Sequence, residues 1–272
     1  MQLAEPVVAP WKAELLLSFE KRIQKTVLAN RRQEGPLVVQ KPLYPEGEEV
    51  CHAIVVHPPG GIAGGDELSL SVKLDSGANA LLTTPGAGKW YRTAGPWAKQ
   101  KLAFDVGGTL EWLPRETIVF DAALADLECT VNLGRDARFI GWEVVCLGRR
   151  GSGERFERGK LRIETRVSRE QKLLFFERGQ IDGGGRLMRS HAGLGGRSVF
   201  GTMLAAFDFS SISEFRAEMP DCFAMTLLPG LLVARYLGDS GEEALRGFSR
   251  LWTLLRPAVA GRAAVEPRIW ST

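Results

Sequence analysis

Residues 57–66 read His-Pro-Pro-Gly-Gly-Ile-Ala-Gly-Gly-Asp, and Glu67 follows. An imidazole opens the stretch and two carboxylates close it. Four glycines and two prolines lie within ten residues. Glycine tolerates φ > 0 and lets a ligand or another backbone approach closely. This is the composition of a binding loop that holds Asp66 and Glu67 in place, or of an elaborate turn. It lacks the G-x-G-x-x-G order and a following helix pattern, so it is not a dinucleotide site.

Other stretches offer chemistry and mostly fail on inspection. Residues 83–89 run Thr-Thr-Pro-Gly-Ala-Gly-Lys, but a phosphate-binding loop needs Gly at 83 and Ser or Thr at 90. The chain has Thr83 and Trp90, so nucleotide hydrolysis is not expected. Lys89, Trp90, Tyr91 and Arg92 instead form a basic, aromatic loop suited to a partner contact. There is no G-x-S-x-G elbow and no H-E-x-x-H pair. Only 3 histidines are present. Cys51 and His52 fall on a strand and point to opposite faces, so they cannot chelate one ion together. Cys51, Cys129, Cys146 and Cys222 show no C-x-x-C spacing and read as free thiols. Glu177 ends an apolar run and could face an internal polar cavity, where a carboxylate is costly unless paired or metal-bound. Glu111 beside Trp112 and Glu143 beside Trp142 raise the same question more weakly.

The elements that must position these groups are mainly strands. Leu68, Leu70, Val72 and Leu74 alternate with polar residues, as do Leu102, Phe104 and Val106. Leu127–Leu133 and Leu161–Val167 repeat the period of two, which marks strands with one wet face. Continuous apolar runs at 53–56, 80–83, 117–120, 140–147, 173–176, 223–228 and 231–237 predict strands buried on both faces. Residues 240–256 predict a helix. Ser240 and Glu243 form a capping box, Leu245, Phe248, Trp252 and Leu255 share one face, and Pro257 is the expected stop. Residues 198–207 form a weaker helix candidate. The apolar, Trp-bearing C-terminus is expected to dock on its own domain or on a partner. Together these give a mostly β fold, one large β-rich domain over residues 1–272, with a few helices towards the C-terminus.

Composition narrows the function classes. The 272 residues are 44% hydrophobic and 25% charged, with a net charge of +3. That excludes the clustered basic excess of a nucleic-acid binder. No apolar run approaches the ~18 residues of a membrane helix. Residues 1–11 lack the basic and apolar regions of a secretory leader, so a reducing cytoplasm is the expected compartment.

The motifs also carry a family resemblance. Residues 57–66, together with 35–47, 82–92, 111–118, 148–154, 235–238 and 267–272, resemble the urease accessory proteins called UreD, or UreH in some bacteria. The likeness spans nearly the whole chain. It implies a mostly β fold of unusual topology and a non-catalytic maturation role. Such proteins act with a helical partner, UreF, and a GTPase, UreG. They dock on apo-urease and pass nickel to it, through a water-filled passage. No tightly bound cofactor is implied, only a transient nickel ion. A passage needs weak, replaceable ligands rather than a His/Cys cage. On that reading Asp66 and Glu177, then Glu67 and His57, are the candidate nickel-path residues. Trp90, Tyr91 and Arg92, and the C-terminal helix with Trp252, are the candidate partner contacts. The competing readings are a carbohydrate-active enzyme using two of Asp66, Glu67, Glu143 and Glu177 in one open cleft, and a plain interaction module.

Overall fold

The computed structural model describes residues 10–93 and 95–271. The expectation of no leader rests mostly on residues 1–9, which lie outside that range. The chain opens with β1 (Lys12–Arg22), β2 (Lys25–Glu34), β3 (Val38–Val39) and β4 (Val50–Val56). Next come β5 (Glu67–Leu74), β6 (Asn79–Thr83), β7 (Gly88–Trp90), β8 (Ala98–Val106) and β9 (Thr109–Leu113). They lead to β10 (Thr117–Val119), β11 (Leu124–Leu133), β12 (Arg138–Leu147), β13 (Lys160–Arg169) and β14 (Lys172–Asp182). A single turn, α1 (Arg186–Arg189), precedes β15 (Val199–Ala206) and α2 (Ser213–Ala217). The fold closes with β16 (Phe223–Leu228), β17 (Leu231–Gly238) and α3 (Gly241–Ala260).

The strands form two sheets. The first has the order β14-β13-β11-β8-β5-β1-β2. The second runs β16-β17-β15-β12-β9-β6-β4-β3, with β10 and β7 attached beside β12. From β5 to β13 the chain passes back and forth between the sheets, so neighbours within each sheet are parallel. Parallel neighbours need a long crossover, usually a helix. Here a strand of the opposite sheet supplies it, which is why so few helices are needed.

Burial follows from this layering. The first sheet has one apolar face, so its strands alternate, as β5 does with Leu68, Leu70, Val72 and Leu74 buried. The second sheet lies between the first sheet and α3. On β12, Phe139, Val145 and Leu147 face the first sheet while Ile140, Trp142 and Val144 face the helix. A strand covered on both sides reads as a continuous apolar run.

Three expectations are corrected. Residues 198–207 form strand β15, held between β12 and β17. Pairing on both edges overrides a weak helical pattern. The run 173–176 is not buried on both faces: β14 is an edge strand with Leu173 49% and Phe176 42% exposed. Pro257 does not stop α3, which continues to Ala260. Pro257 gives up its own N–H bond to the preceding turn without ending the helix, which closes at Gly261, where φ is 70° and the N–H donates to the Pro257 carbonyl. The cap is as expected, with the Ser240 hydroxyl accepting from the Glu243 N–H at 3.1 Å.

Candidate passage between the two sheets

The space between the sheets is incompletely filled. A cavity of about 230 Å³ lies under the 57–66 loop, and a second of about 60 Å³ adjoins it. Gln100, Leu102, Trp112 and Glu143 line both. His57, Lys89 and Arg115 line the first, while Cys129, Thr165 and Thr202 line the second.

Glu143 is the acid at the junction. It lies on β12 at the same parity as Phe139 and Val145, so strand geometry aims it inward. Thr117 on β10 donates its hydroxyl to the carboxylate at 2.5 Å. No cation pairs with it among the described residues. Burial pushes its carboxyl up, the Thr117 hydrogen bond offsets part of that, and the result is about 7. Burial, with the nearby Glu143 charge, also pushes the Cys129 thiol to about 12, so it stays protonated. His57 is held below its ordinary value by burial, partly offset by Asp66.

Of the nominated path residues, only His57 lines these cavities. Asp66 spends both oxygens on backbone N–H groups: Oδ1 accepts from Trp11, just before β1, at 2.9 Å, and Oδ2 from Ala63 of its own loop at 2.8 Å. Glu67 is exposed beside Lys99 at 3.7 Å. Glu177 faces no cavity and instead pairs with Arg235 at 2.8 Å, tying the ends of the two sheets together. Exposed pairs of this kind contribute little. Glu67→Ala and Glu177→Ala are each expected to cost at most about 1 kcal/mol in urea unfolding. The glycine pattern of the loop is partly a packing requirement. A Cβ on Gly61 would meet the Tyr91 ring at 2.1 Å, and Gly65 holds φ at +95°.

The nominated partner contacts divide. Tyr91 and Arg92 are exposed. Trp90 is corrected: it is 1% exposed, on a short strand pinned between the 57–66 loop and β10. Trp252 is corrected too, at 0% exposed, donating its indole N–H to Glu111 at 2.5 Å. The C-terminus docks on its own fold, with Trp270 packed on Trp142 and Trp252 and bonded to Thr83 at 2.9 Å.

Sequence reasoning missed a second buried polar group. On the helix side of the second sheet, Arg256 donates to Glu111 at 2.9 Å and to Glu46 at 2.7 Å. His52 meets Glu46 at 2.5 Å. Burial raises the Glu46 carboxyl, but the His52 and Arg256 hydrogen bonds outweigh it and hold it at about 2. In this cluster each carboxylate accepts from the Arg256 guanidinium, whereas Glu143 has no cation partner among the described residues. Among the described residues, no three or more His, Cys, Asp or Glu side chains gather into a metal cage. Of the four acids that a two-carboxylate enzyme could use, only Glu143 lines either cavity.

These features define a β-rich protein whose polar centre lies inside, between two sheets. The family model described as UreD urease accessory protein matches residues 12–271, and the chain belongs to that family. Its relatives are similar over nearly full length. A urease accessory protein UreD of Dechloromonas aromatica is 50% identical, covering 100% of this chain and 99% of that protein. One from Azoarcus sp. is 53% identical over 96% and 94%. One from Pseudomonas aeruginosa is 48% identical over 96% and 95%. The family supports a role in urease maturation. No helix among the described residues is long and apolar enough to cross a membrane.

Proposed function

We propose that this chain is a non-catalytic scaffold of the urease maturation assembly and passes nickel through the space between its sheets. The observation that carries the reading is Glu143, a partly buried carboxylate with no cation partner among the described residues, which lines both cavities. A carboxylate, a hydroxyl and an amide side chain are hard, replaceable ligands, suited to brief occupancy rather than storage. His57 stands at the outer cavity as an early ligand. Asp66 shapes the loop above it, and Glu177 and Glu67 act at most as surface acids. The energy of nucleotide hydrolysis comes from a partner, since the 83–90 segment departs from a phosphate-binding loop. The partners are apo-urease, UreF and UreG in the cytoplasm. Tyr91 and Arg92 present exposed contact chemistry of the kind enriched at interfaces.

The test is co-expression of apo-urease and its maturation proteins with the wild-type chain or with Glu143→Leu. Leucine keeps volume and removes the ligand. Nickel content of the urease is expected to fall about tenfold or more, with co-purification of the assembly unchanged. Normal nickel content in the variant would reject the passage.

A further inference from the structure

Sheet edges are templates for pairing with another chain, and folded proteins guard them. Among the described residues the two main sheet paths have four ends, and three of these are guarded. β2 carries Lys25, Arg31, Arg32 and Glu34. β3 is two residues long. β16 is covered by α2, whose Arg216 donates to the Met225 carbonyl at 2.7 Å.

β14 is different. It runs 11 residues along the open edge of the first sheet. Its segment 173–176 is Leu-Leu-Phe-Phe, apolar on both faces, although the strands inside this sheet keep one polar face. Leu173 and Phe176 are nonetheless exposed, and Leu187 of the adjoining α1 is 43% exposed. The acids of β14 already have partners, Glu177 with Arg235 at 2.8 Å and Asp182 with Lys160 at 3.5 Å. Lys172 and Arg178 on β14, and Arg186 and Arg189 on α1, are exposed, and no side-chain hydrogen bond or ion pair is seen for them among the described residues.

We propose that β14 is a docking edge to which a partner protein adds one strand that carries carboxylates beside apolar residues. Backbone hydrogen bonds along the edge supply affinity, and the side chains at alternate positions supply choice. Leu173 and Phe176 would gain a cover, and the four cations would meet opposite charge. A second copy of this chain is the poorer occupant, because its β14 offers no free carboxylate: Glu177 and Asp182 are already paired with Arg235 and Lys160, while Lys172 and Arg178 would be added to the cations already there. The edge lies beside Thr165 of the second cavity, since Thr165 pairs in register with Glu177. A strand bound there sits at that end of the interior space.

Hydrogen exchange on the full chain tests this in two arms. One adds a synthetic peptide alternating Glu with Val, with a Lys–Val peptide as counterpart. The other uses the assembly co-expressed with urease and its maturation proteins. Amides of 172–182 are expected to slow about tenfold or more with the acidic peptide and in the assembly. Those of 25–34 should not change. The Leu173→Lys, Phe176→Lys double variant, altered only at exposed positions, should lose both effects. No slowing at 172–182 in either arm, or equal slowing by the Lys–Val peptide, overturns the proposal. Slowing in the chain alone that grows with its concentration also overturns it, in favour of a second copy. An assembly that forms normally with the double variant removes the docking edge and leaves the maturation role standing. Failed nickel delivery in an intact assembly concerns only the passage.

Discussion

Arg256→Ala is expected to destabilise the chain by about 3–5 kcal/mol, the range for removing one partner of a buried ion group. The guanidinium is fully buried and serves Glu111, Glu46 and the Ala263 carbonyl at once. Deleting it leaves two carboxylates under α3 with only His52 and the Trp252 indole as donors. It also frees the chain after α3, which carries Trp270 back onto the sheet. The effect should appear as a fall of the melting midpoint on the order of 10 °C, at about 2–4 °C per kcal/mol for a chain of this size. The loss should be smaller in acid. Glu46 is held near 2 against an ordinary 4.5, so its stabilising pairing is present above 4.5 and fades as pH falls towards 2. A triple change, Arg256→Met with Glu46→Gln and Glu111→Gln, should recover most of the loss, because no bare charge remains. A cost below about 1 kcal/mol for Arg256→Ala would show that the cluster does not hold the helix.

Much of the scaffold was legible because each layer writes its own period. The first sheet has one wet face, and β5 and β8 alternate accordingly. β12 is covered twice, and it reads as unbroken apolar sequence. The capping box at Ser240 is local chemistry and needs no tertiary knowledge. What failed depends on neighbours that no local window contains. Residues 198–207 take a strand conformation because β12 and β17 flank them. The run 173–176 reads as interior because its composition is interior, yet β14 ends its sheet and Leu173 and Phe176 stay exposed. Trp90 looked like surface chemistry because Lys89, Tyr91 and Arg92 surround it, although strand alternation turns it inward.

The site was legible only as a question. Glu111 and Glu143 each stand beside a tryptophan on a buried strand, and sequence weighs them equally. Their fates differ by parity. Glu111 faces α3, where Arg256 arrives from 145 residues away. Glu143 faces the other sheet, where no basic side chain pairs with it among the described residues. Asp66 was the more conspicuous acid, in the more conspicuous loop, but an Asp beside a glycine turn is well placed to bind its own backbone. A carboxylate without a counter-ion is the one free to serve something other than the fold.

Glu143→Gln should therefore make the chain more stable at pH 8. The reasoning is one of sign. Below pH 4.5 the carboxyl is protonated in both the folded and unfolded chain, and it adds no pH dependence. Between 4.5 and about 7 the unfolded chain ionises while the folded chain keeps its proton, so folding loses about 1.4 kcal/mol per pH unit. Above 7 the loss levels off at about 3 kcal/mol. Glutamine cannot ionise, and its amide oxygen still accepts from Thr117. Urea unfolding should find the two proteins matched near pH 4.5, and the variant ahead by up to about 3 kcal/mol at pH 8. A variant that is equal or weaker at pH 8 would mean that the carboxylate has a counter-ion or free water after all. Read together with nickel delivery, the result separates two roles. A residue that only holds the fold loses stability and delivery together when it is changed. Glu143 should lose delivery while stability rises, because its charge opposes the fold that surrounds it.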